Sequence, residues 1–154
     1  METKSSMKAI IVDIDGTLAD ITHRAHFVNN ANGKKDWGSF NRTAHRDALK
    51  TDVAKAVDLY YAAGIPVILV TGRFQAMSDA TTKWLHKHNV RYSALFMRPD
   101  GDYRSDHIIK EEIYLQQIKA RGFEVIGAFD DRDRVVEMWR KLGLTCFQVQ
   151  RGDY

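Results

Sequence analysis

The chain has 154 residues, 23 Lys+Arg against 20 Asp+Glu and a formal net charge of +3, with 44% hydrophobic and 28% charged residues. This fits one globular domain with a real core and leaves little room for a second. The single Cys146, beside Phe147, excludes an intrachain disulfide framework, reads as a small buried apolar residue and fits a reducing compartment. A charge of +3 does not by itself imply nucleic acid.

Met1 to Met7 is polar, so a disordered N-terminus over 1–7 is expected rather than a secretory signal, with one domain over 8–154. No apolar run approaches the roughly 20 residues of a membrane helix. The expected setting is cytoplasmic, extending to a host cytoplasm if the source is a phage, with no membrane partner. The first strand is read over Ala9 to Ile14. Residues 20–51, Asp20 to Thr51, are too long for an ordinary βα loop. With Phe27, Trp37 and Phe40 they are unlike a disordered segment and read as a small cap or lid over the sheet's carboxyl edge. This insert carries Arg24, Lys34, Lys35, Arg42, Arg46 and Lys50 against Asp20, Asp36 and Asp47, and holds His23, His26 and His45.

Then strands and helices alternate. A helical pattern over Asp52 to Ala63 stops at Gly64, and a strand follows over Pro66 to Val70. Next come a helix over Gln75 to His88, a strand over Ala94 to Met97 and a loop over Arg98 to Ser105. A helix over Ile108 to Ala120 stops at Gly122, a strand covers Val125 to Phe129, a helix over Asp133 to Leu142 stops at Gly143, and a last strand covers Thr145 to Val149. The strands are rich in Val, Ile and Phe without clean alternation, as strands buried on both faces of a parallel sheet are. The pattern predicts a doubly wound α/β sheet.

The first strand runs into Asp13-Ile14-Asp15-Gly16-Thr17. Ligands in open α/β sheets bind at the carboxyl ends of strands. Two carboxylates at that point suit either a divalent cation or a nucleophile with an acid/base partner. A capped turn is the bland alternative, and an EF-hand loop is excluded because glycine and the twelfth-position Glu are misplaced. The second strand leads into Thr71-Gly72-Arg73, a hydroxyl, a glycine and an arginine suited to a phosphate cradle or to an ordinary turn. The fourth leads into Asp130-Asp131, costly unless solvated or cation-bound, with Asp131 or Asp133 also able to cap the next helix. Lys110, before Glu111 and Glu112, reads on its own as a helix-surface residue.

In this order and spacing, D13-I-D15-G-T, Thr71 in V-T-G-R, Lys110 and D130-D131 resemble the haloacid dehalogenase (HAD) superfamily of phosphotransferases. Residues 104–154, with R-S-D-H-I-I-K-E-E, D-D-R-D-R-V-V-E-M-W-R-K-L-G and Q-V-Q-R-G-D-Y, look like the phosphatase half of the bacteriophage-type polynucleotide kinase-phosphatases. The resemblance runs from about Met7 and is loose between Asp20 and Thr51. It implies a HAD-like three-layer sandwich with a parallel five-stranded sheet of order 5-4-1-2-3 and a small cap after strand 1. It implies Asp13 as nucleophile, Asp15 as acid/base, and Thr71 and Lys110 on the phosphoryl oxygens. Gly16, Thr17, Gly72 and Arg73 would complete the phosphate site. Arg24 and Asp106 match further functional positions, with Asp106 placed to orient Lys110. The implied cofactor is Mg²⁺, held by Asp13, the backbone carbonyl of Asp15, Asp130 and Asp131.

The implied activity is removal of 3′-phosphates from nucleic-acid ends or nucleotides. No G-x-x-x-x-G-K-[ST] string is present, so a phosphatase without its kinase is expected, associated functionally with a kinase or ligase encoded elsewhere. A nucleotidase on small nucleoside monophosphates and an inactive end-binding module are the alternatives. Lys34, Lys35, Arg42, Arg98 and Arg104 could hold strand phosphates and Trp37 could stack on a base. Each also has a bland reading as a solvated or packed residue.

Overall fold

The computed structural model describes residues 6–29 and 33–154. In chain order the strands are β1 (Met7–Val12), β2 (Ala19–Asp20), β3 (Ala48–Leu49), β4 (Val67–Phe74), β5 (Ala94–Arg98), β6 (Phe123–Arg132) and β7 (Cys146–Gly152). The α-helices are α1 (Trp37–Arg42), α2 (Thr51–Ala62), α3 (Ser78–Lys87), α4 (Asp106–Ile113) and α5 (Asp133–Lys141). The disorder expected for residues 1–5 falls outside the described residues. Met7 already belongs to β1, because Met7 to Ala9 pair with Phe123 to Val125.

The main sheet has five strands in the order β5-β4-β1-β6-β7, all parallel. Counted along the chain from the other edge, this is the 5-4-1-2-3 order implied by the resemblance. Side chains of β1 and β4 alternate between two cores. Ala9, Ile11, Ile68 and Val70 face α4 and α5, where Ile109, Ile113, Val135 and Trp139 are buried. Ile10, Val12, Val67 and Leu69 face α2 and α3, where Val57, Trp84 and Leu85 are buried. Both faces are covered, which is why these strands read as continuous apolar runs. The three layers are helix, sheet and helix.

Several boundaries differ from the sequence expectation: β1 ends at Val12 rather than Ile14, β7 runs past Val149 to Gly152, and three further differences bear on the site. The helix expected over Ile108 to Ala120 starts at Asp106, then widens to a π turn at Tyr114–Ile118 and tightens to a 3₁₀ turn at Lys119–Arg121. An acid in the first turn, where the N–H groups are free, favours that earlier start. β4 runs past Val70 to Phe74 and β6 past Phe129 to Arg132. Both extensions contain a register shift against the neighbouring strand, between Thr71 and Phe74 and between Asp130 and Arg132. Thr71-Gly72-Arg73 and Asp130-Asp131 therefore lie within strand irregularities rather than in the turns after them. Such irregularities re-aim side chains next to sites.

The 20–51 insert is a small unit of its own. β2 and β3 close its base as an antiparallel pair, Ala19 opposite Leu49 and Asp20 opposite Ala48. A 3₁₀ helix (Thr22–Phe27), α1 and a 3₁₀ turn (Ala44–Arg46) fill it. Ile21, Val28 and Phe40 form its core, with Phe27 and the distant Tyr154 packed against them.

Candidate active site

A cleft of about 650 Å³ opens at the carboxyl edge of the sheet. Asp13, Asp130, Asp131 and Lys110 line it, with Trp37 of the insert at its side. Asp13 is the first residue past β1, anchored by its N–H on the Phe129 carbonyl at 3.0 Å. The chain then turns around the Ile14 carbonyl, which accepts from the N–H groups of Thr17, Leu18 and Ala19. Gly16 makes this turn at φ 80°, and a Cβ there would stand 2.1 Å from Asp131 Oδ2. The glycine is thus required twice, by its backbone angle and by the approach of Asp131.

Asp13, Asp130 and Asp131 are buried and offer carboxylate oxygens within 4.8 Å of one another, the sole such group of possible metal ligands among the described residues. Lys110 is also buried; its Nζ donates to Asp13 Oδ1 at 2.8 Å and Asp130 Oδ2 at 2.9 Å. Thr17 donates its hydroxyl to Asp13 Oδ2 at 3.1 Å, and Trp139 its indole N–H to Asp130 Oδ2 at 3.3 Å. The Tyr154 hydroxyl donates to Asp131 Oδ2 at 2.7 Å, while Asp131 Oδ1 is buried with no partner. One lysine does not balance three carboxylates. Burial, then Asp130, raises the Asp13 pKa well above its ordinary value. Burial and Asp130 likewise push Asp131 up to about 6. An orphaned buried carboxylate oxygen in an acidic, all-oxygen cluster fits a hard divalent cation.

Asp15 belongs to a different environment. Arg73 grips it with Nε at 3.1 Å from Oδ2 and Nη2 at 2.6 Å from Oδ1, and Arg24 Nη2 donates to Oδ1 at 2.6 Å. Burial alone would raise its pKa; the two guanidinium groups overcome this and hold Asp15 well below the usual carboxylate range. Arg24 is fully buried, forked onto Asp47 at 2.7 and 2.5 Å and lying 4.0 Å over the Phe40 ring. Asp47 is itself placed by the Trp84 indole, which donates to its carbonyl at 2.9 Å. His23 also reaches Asp47 at 2.7 Å. His26 rests on Phe27, and His45 meets the Arg42 carbonyl at 3.0 Å.

Asp106 does not hydrogen-bond Lys110. It bridges Arg98 and Arg132, the latter at 2.6 Å, because the strand irregularities bring both guanidinium groups to the start of α4. Burial opposes its charge, but Arg132, Lys110 and Arg98 together hold its pKa down. Gly72 packs against this carboxylate; a Cβ there would lie 2.6 Å from Asp106 Oδ1. Thr71 is buried and its hydroxyl accepts from the Arg73 N–H at 3.2 Å.

The basic residues divide. Arg98 is no strand-phosphate ligand here: it is buried and donates to the carbonyls of Gly72, Asp102 and Arg104, holding the loop after β5. Arg104 is occupied by Asp102 and Glu112, and Arg42 by Ser39. Lys34 is exposed. Lys35 and Trp37 line the cleft, with the ammonium 5.6 Å from the ring centre. Sequence reasoning missed Asp47, Arg132, Trp139 and Tyr154. Asp47 and Arg132 sit in ordinary charged strings, and Trp139 was legible only as the apolar face of a helix. Tyr154 reaches the site through the tertiary path of the last strand.

Known proteins are similar to this chain. Residues 7–154 match the family described as the polynucleotide kinase PNKP phosphatase domain. A protein of Autographa californica nuclear polyhedrosis virus, provisionally named a bifunctional polynucleotide kinase/RNA ligase, is 30% identical over 150 residues, which cover 96% of this chain and 20% of the viral protein. A chain in a structure of the Pnkp1/Rnl/Hen1 RNA repair complex is 38% identical with a TM-score of 0.83, over 100% of this chain and 46% of that one. The chain thus spans half or less of these relatives. A class C acid phosphatase from Bacillus anthracis, 14% identical with a TM-score of 0.60 over 82% of this chain and 53% of that one, shares the fold. No helix among the described residues is long and apolar enough to cross a membrane. With the matched span covering both the buried acidic cluster and the five-stranded sheet, the chain belongs to the HAD-type phosphatase-domain family of polynucleotide kinase-phosphatase.

Proposed function

We propose that this site is a Mg²⁺-dependent polynucleotide 3′-phosphatase. The observation that carries the reading is Asp13: it lines the cleft, lies 2.8 Å from Lys110 Nζ and shares a buried cluster with Asp130 and Asp131. An Asp13 oxygen bonds to phosphorus as the bond from phosphorus to the 3′-oxygen breaks, leaving an aspartyl-phosphate. Asp15 donates a proton to the departing 3′-oxygen. It then takes a proton from the water that attacks phosphorus, which releases phosphate and frees Asp13.

Asp13, Asp131, Asp130 and the Asp15 carbonyl would hold Mg²⁺, which would neutralise the cluster and polarise the phosphoryl group. Lys110 and Thr71 fix the phosphoryl oxygens, where transition-state charge needs preset donors. In the resting site Asp15 is held ionised by Arg24 and Arg73. A phosphate dianion entering beside Asp15 would raise that pKa, the direction an acid needs. Removing a 3′-phosphate leaves a 3′-hydroxyl, the group that strand joining consumes; the names of the relatives, with RNA ligase and RNA repair among them, agree with a place beside such a reaction.

The test is phosphate release from 3′-phosphorylated oligonucleotides, nucleoside 3′-monophosphates and nucleoside 5′-monophosphates, with Mg²⁺ and with EDTA. The oligonucleotide is expected to be the best substrate and EDTA to stop the reaction. A preference for 5′-monophosphates would overturn the reading in favour of a nucleotidase.

A further inference from the structure

Of the three clustered carboxylates, Asp131 is held unlike the other two. Asp13 and Asp130 each accept from the Lys110 ammonium. Asp131 has no ion-pair partner among the described residues. Its Oδ2 accepts from the neutral Tyr154 hydroxyl at 2.7 Å, while its Oδ1 meets no donor. Tyr154 is itself seated from several sides. Its main-chain carbonyl accepts from Arg132 Nε at 2.6 Å, and the Arg132 guanidinium lies 4.8 Å from its ring centre. The side chain packs against Ile21, Val28 and Phe40, the core of the insert. Gly152 lies so close to β6 that a Cβ there would stand 2.8 Å from the Asp131 carbonyl oxygen and 2.9 Å from Arg132 Cα. Gln148 Nε2 donates to the same Asp131 carbonyl at 3.0 Å. The stretch from Gln148 to Tyr154 thus holds Asp131 twice, by its main chain and by its carboxylate.

We propose that Tyr154 is a positioning residue for the cation: its hydroxyl fixes Asp131 Oδ2 and so leaves Oδ1 free to ligate. This deepens the Mg²⁺-dependent reading of the same cleft and rests on it. Hydrogen bonds onto ligating side chains orient them, and their loss costs about 10–100-fold in metal affinity. A hydroxyl suits this place better than a second lysine would. It orients the carboxylate without adding a positive charge that competes with the ion. Packing alone does not call for it, since a phenylalanine ring would fill the same space against the insert and Arg132.

Mg²⁺ titrations of the substrate-free protein, read by the melting temperature, test this. Tyr154→Phe is expected to raise the half-saturating Mg²⁺ concentration about tenfold. Turnover of a 3′-phosphorylated oligonucleotide should fall at limiting Mg²⁺ and return as Mg²⁺ is raised, with KM for the oligonucleotide nearly constant. Gly152→Ala displaces the same hydroxyl without deleting it. It should weaken Mg²⁺ binding too, and add little when combined with Tyr154→Phe. If Tyr154→Phe binds Mg²⁺ as the wild type does, whatever its stability in EDTA, Tyr154 serves structure alone; the proposal falls and the Mg²⁺-dependent reading stands. Tighter Mg²⁺ binding in Tyr154→Phe would put the hydroxyl in the ion's own place, and also overturns it. So would full additivity of the two losses. If the wild type neither binds Mg²⁺ nor needs it for turnover, the reading of the site fails, and the role of Tyr154 with it.

Discussion

On one side of the cleft Asp13, Asp130 and Asp131 share a single cation, Lys110. On the other, Asp15, Asp47 and Asp106 stand among Arg24, Arg73, Arg98 and Arg132. The carboxylates respond in opposite directions: the Asp13 and Asp131 pKa values rise, and those of Asp15 and Asp106 fall. The acidic half has negative charge to spare and calls for a cation. The arginine half has positive charge to spare and calls for an anion. A metal-dependent phosphatase needs both at one point, and the shared crevice at the carboxyl edge of the sheet places them side by side.

The sharpest break comes from Asp13→Asn. Taking the charge from Asp13 removes the proposed nucleophile but also relieves crowding with Asp130 and Asp131. Turnover on a 3′-phosphorylated oligonucleotide should fall by at least about a thousandfold, while the melting temperature holds or rises. Substantial remaining turnover would remove Asp13 from the nucleophile role.

Lys110→Met removes the acidic half's one cation. The carboxylates are left buried and unbalanced, and loss of a buried partner costs about 3–5 kcal/mol. Denaturant unfolding in EDTA should show that loss, and added Mg²⁺ should recover part of it by binding the folded state. Unfolding of both wild type and variant that is the same with and without Mg²⁺ would mean that the cluster does not bind the ion. Arg24→Ala makes the matching break in the other half. Asp15 keeps Arg73, so the expected loss is smaller, about 3 kcal/mol, and Mg²⁺ should not recover it. Arg24→Lys should restore little, because a single ammonium cannot span the fork onto Asp47 and reach Asp15 as well.

The two halves were not equally legible in the sequence. The acidic half was readable: Asp13, Asp130 and Asp131 each follow an apolar run, and strand ends in a parallel sheet converge. Lys110 became visible only through its order relative to those motifs, since a lysine before two glutamates also fits a solvated face. The arginine half was mostly hidden. Arg24 could be singled out by resemblance, but its partner Asp47 lies in the insert, where nothing local marks it. The Asp106 partners Arg98 and Arg132 depend on register shifts in β4 and β6, which periodicity cannot locate. The fold itself was nearly complete in the pattern, because alternating apolar strands and glycine-terminated helices leave few ways to wind the sheet. Tyr154 shows the limit: its contact with Asp131 exists only once β7 has paired with β6.

The smallest expected effect separates pairing from packing in the arginine half. Asp106 sits between Arg98 and Arg132, and its folded-state pKa lies below its ordinary value. A depressed acid stabilises the fold above its unfolded pKa, near 3.9, and loses that contribution as pH falls through the lower folded value. Asp106→Asn keeps the shape and cannot ionise. At pH 7 the variant should therefore be less stable by about 2 kcal/mol, the scale of hydrogen bonds to a charged group. The gap should narrow once pH drops below about 4, as the wild-type carboxyl takes up its proton. Urea unfolding across that range reads it directly. A gap that stays constant down to the lowest pH at which both proteins fold would place the Asp106 contribution in shape rather than in charge.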